Sequence, residues 1–117
     1  MDNRRQYARF DVAVVAEIEV DGDTLMGETR DISAGGISVM LSEALDEDSS
    51  VDLSLILTQD GIEDPNEDPF VTRANVMWAA PTDDGRAMIG LRFIGTVKGE
   101  QQRLERFLAA LAENVAR

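Results

Sequence analysis

Two short constellations in this 117-residue chain carry residue types that could do chemistry. The first, Asp31-Ile32-Ser33-Ala34-Gly35-Gly36, sets a carboxylate, a hydroxyl and two glycines side by side. Asp31 and Ser33 are two apart, so in an extended chain their side chains leave the same face of a sheet. There an acceptor and a hydroxyl could grip the polar edge of a flat ligand. Gly35 and Gly36 allow positive φ and let a ligand come close to the backbone. The alternative is a strand-to-strand turn in which Asp31 and Ser33 bond their own backbone. The second constellation is Arg4-Arg5-Gln6-Tyr7-Ala8-Arg9. Guanidinium groups fork onto phosphate oxygens in bidentate fashion. Screening over about 8 Å at physiological salt lets such a cluster attract an anion despite distant acid. A solvated basic arm is the competing account.

Composition narrows the chemistry. There is no Cys, so disulfides and thiolate metal sites are excluded, and no His, the commonest general base and metal ligand. No nucleophile stands beside a base, so neither an enzyme nor a resident cofactor is expected. The net charge of -12 argues against nucleic acid, whose binders need a broad basic face. Residues 58–69 are rich in acid, but their spacing does not match a calcium loop and Pro65 and Pro69 interrupt it. A solvated loop without metal is expected there. No apolar run approaches the ~20 residues of a membrane span, and Met1 to Arg5 lack the apolar core of a signal peptide. A cytoplasmic protein without membrane insertion is the expectation.

The positioning elements are mostly strands. Val12, Val14, Ala16, Ile18 and Val20 alternate with polar residues, which predicts a half-buried strand over Phe10 to Val20. Asp21-Gly22-Asp23 reads as a tight turn. Further strands are predicted over Thr24 to Ile32, Gly36 to Leu41, Val51 to Leu57, Phe70 to Ala80 and Arg86 to Ile94. Ser42 to Ser50 reads as a loop with one helical turn at most. In the fifth strand Ala74, Val76 and Trp78 share a face. Trp78, the only tryptophan, suits either core packing or ligand stacking, since both use the ring's large face. From about Glu100 the period changes to that of a helix, with Leu104, Phe107, Leu108, Leu111 and Val115 in one stripe. That stripe is expected to cover the open end of the β-layer rather than bind a partner.

Arg5-x-x-x-Arg9 followed by Asp31-x-Ser33-x-x-Gly36, with a strand pair between them and Gly90-Leu91-Arg92-Phe93 near the end, resembles the PilZ domain. That family is a bacterial receptor module for cyclic di-GMP. The resemblance covers essentially the whole chain, and no motif position departs from it. It implies a mainly β fold: a six-stranded antiparallel barrel over residues 11–95, a flexible ligand-binding arm over 1–10, and a capping C-terminal helix over 98–117. It implies that Arg5 and Arg9 clamp phosphates and stack on guanine, and that Asp31, Ser33 and Gly36 line the guanine site; Gly35 and Trp78 are further ligand-binding candidates from their own chemistry. A basic residue before the clamp, here Arg4, goes in this family with capture of two stacked ligand molecules per chain. The implied output is arm ordering that reshapes a surface for an effector protein, in motility or biofilm signalling. An interaction-only PilZ adaptor that does not bind the nucleotide is the alternative.

Overall fold

A computed structural model of the chain describes residues 9–57 and 69–115, with helix side chains as far as residue 112. Arg4, Arg5, most of the acidic 58–69 segment and the side chain of Val115 lie outside that set. Among the described residues six strands, β1 (Val15–Val20), β2 (Asp23–Ile32), β3 (Gly36–Leu41), β4 (Ser50–Leu55), β5 (Phe70–Pro81) and β6 (Ala87–Ile94), precede one helix, α1 (Lys98–Val115). Neighbouring strands are antiparallel and close in the order β1-β2-β3-β6-β5-β4, the expected barrel.

Alternation along β1 buries Ala16 and Ile18 completely and leaves Glu17 and Glu19 in water. Asp21 and Gly22 both have positive φ, 52° and 84°. Two such residues make the primed turn whose twist matches a right-handed hairpin. The first strand starts five residues later than the alternation predicts, because the preceding segment is fastened differently. Phe10 makes only an isolated bridge to Ile32, with N–H···O distances of 2.9 and 3.0 Å. The buried Thr29 hydroxyl then accepts from the Val14 N–H at 3.0 Å and donates to the Val12 carbonyl at 2.6 Å. That leg therefore lies along β2 without forming a continuous ladder.

Residues 42–49 contain no helical turn. Their backbone is claimed by β5 instead: the Asp48 N–H donates to the Val76 carbonyl and the Val76 N–H to the Ser49 carbonyl, at 2.8 and 2.9 Å. The core fills the barrel, as small barrels require. Leu104, Phe107 and Leu108 of α1 join it at 1%, 6% and 7% exposure, so the apolar stripe closes one end. The first helical turn is tied to β5, since Glu100 accepts the Val71 N–H at 2.7 Å and pairs with Arg103 at 2.7 Å. Phe93 is half-buried, its ring tilted against that of Phe70 at 5.3 Å between centroids.

Candidate functional site

The barrel's interior holds side chains, so a ligand must sit outside it, and two irregularities decide which residues face outward. Along β2, Thr29 is opposite Val39 and Asp31 is opposite Ser38, so Arg30 is an extra residue. Along β5, Val76 is opposite Leu91 and Trp78 is opposite Gly90, so Met77 is extra. An inserted residue reverses the inward–outward parity of everything after it. Without the bulge at Arg30, Asp31 would share the buried face of Thr29. Without the bulge at Met77, Trp78 would follow Val76 into the core. The expected shared face of Ala74, Val76 and Trp78 is therefore corrected: Ala74 and Val76 are fully buried, whereas Trp78 is 42% exposed on the outer surface.

The two bulges flank the β3–β6 pair, and the register aligns Asp31, Ser38, Gly90 and Trp78 in one row across four strands. Three inter-strand steps of about 4.8 Å make this platform on the order of 14 Å wide. An open cleft of about 650 Å³ lies over it, lined by Arg9, Asp11, Arg30, Asp31, Ser38, Trp78 and Met88. A Cβ on Gly90 would overlap the indole atoms Nε1 and Cε2. Glycine at that position is what lets the ring lie against the β6 backbone.

Arg9 and Asp31 meet directly, with Nη1 donating to Oδ1 at 2.5 Å. The Phe10–Ile32 bridge holds Arg9 beside the end of β2 and so sets up this pair. Ser33 is elsewhere. It is 3% exposed, accepts the backbone N–H groups of Gly35 and Gly36 and donates to the Gly36 carbonyl, each at 3.2 Å. Asp31 and Ser33 thus part company: one faces the cleft, and the other stitches the turn that starts β3. Gly36 packs so tightly on β6 that a Cβ would overlap the Leu91 carbonyl oxygen, and the Gly35 carbonyl accepts the Phe93 N–H at 2.9 Å. Neither glycine lines this cleft. Arg4 and Arg5 lie outside the described residues. Among the described residues no cluster of carboxylates could hold a metal ion.

Arg30, Ser38, Met88 and Asp11 line the cleft without having been singled out from the sequence. Ser38 carried a usable signal, as the polar residue alternating with Ile37 and Val39. For Arg30 there was none beyond adjacency to Asp31, because its position depends on the bulge.

Several solved structures share this fold. MotI/DgrA, the inhibitor of motility from Bacillus subtilis, superposes with a TM-score of 0.77 at 23% identity, covering 99% of this chain and 53% of that one. The PilZ domain of Escherichia coli YcgR with c-di-GMP gives 0.74 at 18% identity, covering 97% and 95%. The MrkH–c-di-GMP complex of K. pneumonia gives 0.72 at 19%, covering 99% and 55%. The chain thus spans about half the length of MotI and MrkH. No curated protein matches it in sequence. The model of the PilZ domain matches residues 3–110, nearly the full length that forms the barrel and its capping helix, and the chain belongs to the PilZ domain family.

Proposed function

We propose that this protein is a receptor for cyclic di-GMP that passes the signal to a partner protein, and that it alters nothing chemically. The observation that carries the reading is the cleft that joins Arg9 of the first motif to Asp31 of the second, with Trp78 across the platform. Cyclic di-GMP is a dianion with two purines, so it needs fixed cations and flat partners, and guanidiniums serve as both. Asp31 accepts from the N1–H and N2–H2 edge of a guanine, and Trp78 offers a stacking face. Arg5 and Arg9 clamp phosphate, Arg4 supports a second stacked ligand, and the arm over residues 1–10 closes on the bound nucleotide. Ser33, Gly35 and Gly36 serve by shaping the turn behind Asp31. The c-di-GMP complexes of YcgR and MrkH support the ligand, and the description of MotI as an inhibitor of motility supports an output in motility control.

The ordered arm and the reshaped rim present a new surface to the effector, an order-on-binding switch. The receptor reading carries with it a cytoplasmic setting, where the nucleotide would be met. Calorimetric titration of the protein with cyclic di-GMP, with cyclic di-AMP as the comparison, tests the reading. Saturable binding preferring the guanine ligand is expected, and no heat of binding for either would sink it. The ligand recovered intact after incubation supports a receptor over an enzyme.

A further inference from the structure

We propose that Arg30 is a ligand-contacting residue of this cleft, its guanidinium bound to a phosphate of the cyclic dinucleotide; this rests on the receptor reading above. Charge is the first ground. The described part of the cleft holds two guanidiniums, Arg9 and Arg30, and two carboxylates, Asp11 and Asp31, which cancel. Arg9 is already engaged with Asp31. Among the described residues of the cleft, Arg30 is therefore the guanidinium not already committed to a carboxylate, and so the one placed to add to the phosphate clamp.

The second ground is availability. Arg9, Arg73, Arg86 and Arg103 each pair with a carboxylate. Arg30 is exposed, and among the described residues no hydrogen bond or ion pair engages its side chain. It is also the inserted residue of the β2 bulge, so it does not take part in the regular ladder opposite β3. Bulges recur next to binding sites because they re-aim a side chain, and this one lifts a cation beside the carboxylate that reads the base.

The third ground is position. Arg30 stands on the divide between this cleft and a neighbouring one of about 650 Å³ floored by Val15, Met26 and Met40. A planar fork there can meet a phosphate edge-on with two parallel N–H···O bonds, a geometry an ammonium cannot reproduce.

Calorimetry with cyclic di-GMP on Arg30→Ala, Arg30→Lys and Arg106→Ala tests this. Arg106 is an exposed arginine on α1, outside both clefts, and controls for the loss of one positive charge. Arg30→Ala is expected to bind about tenfold more weakly, one charge-assisted contact. Arg30→Lys should fall between it and the unmodified protein, and Arg106→Ala should bind normally. Equal binding by Arg30→Ala and the unmodified protein, or equal losses in Arg30→Ala and Arg106→Ala, overturns the inference while the receptor reading stands. No binding by the unmodified protein overturns both. Circular dichroism melts without ligand, expected to coincide for all four proteins, separate a lost contact from a lost fold.

Discussion

Gly90 and Trp78 form one structural unit: the indole occupies the space where any side chain at residue 90 would project. The bulge at Met77 turns Trp78 outward, and the bare backbone at Gly90 gives the ring somewhere to rest. The position of the indole is thus set by an absence on one strand and an insertion on the next. Gly90→Ala should push the indole off the platform. The single tryptophan makes this directly visible as a red shift in emission, with weaker cyclic di-GMP binding. Unchanged emission and affinity together would show that the ring's seat does not depend on Gly90.

Arg9 and Asp31 are partners before any ligand arrives, at 31% and 23% side-chain exposure. A pair this open is worth up to about 1 kcal/mol to the fold, so Arg9→Ala and Asp31→Ala should melt close to the unmodified protein. Ligand binding should weaken far more, by about ten- to a hundredfold for each. Because the two touch, the double variant should lose less than the product of the single losses. Strict additivity in calorimetry would mean that they act independently on the ligand. Asp31→Ala should also narrow the preference for guanine over adenine.

Arg4 bears on stoichiometry. Two stacked ligands carry four phosphate charges, and a third guanidinium in the arm offsets their repulsion. Two cyclic di-GMP molecules per chain are expected, falling to one in Arg4→Leu with the first site retained. A calorimetric ratio of one for the unmodified protein would remove this role from Arg4 and leave the receptor assignment untouched.

The helix stripe is structural. Leu104 is 1% exposed where α1 closes the barrel. Leu104→Ala should cost about 2–5 kcal/mol in denaturant melts, from lost burial and the cavity left behind. A loss well under that range would mean that α1 is not held against the barrel end.

The hairpin between β5 and β6 has a distinct acid response. The Arg86 guanidinium foremost, then the Thr82 hydroxyl and the Arg86 backbone N–H, hold the Asp84 carboxyl well below the usual carboxylate range. A lowered folded-state value means that the interaction is present above the ordinary aspartate titration near 4 and is lost as pH falls through the folded value. Carboxyl carbon shifts in an NMR titration should place the Asp84 midpoint below that range, and Arg86→Ala should raise it. Coincident midpoints in the two proteins would show that Arg86 is not the cause.

Local pattern in the sequence determined a good deal here. Alternation in Val15–Val20, the Asp21-Gly22 turn and the Leu104–Leu108 stripe are statements about neighbours within a few residues, and they hold in the folded chain. The order of the arginine and Asp-x-Ser motifs was legible in the same way. Only the tertiary structure decided which way the site residues point. A bulge is a mismatch between two strands, so nothing within β2 or β5 alone marks Arg30 or Met77 as the residue without a partner. Each insertion nonetheless reverses the parity of the residues beyond it, sending Asp31 and Trp78 outward. Ser33, two residues from Asp31 in sequence, leaves its company because the turn into β3 offers its hydroxyl two backbone N–H groups and a carbonyl. Ser38 and Gly90 join the site because strands far apart in the chain pair in that register, and registry between distant strands is settled by the packing of the whole barrel.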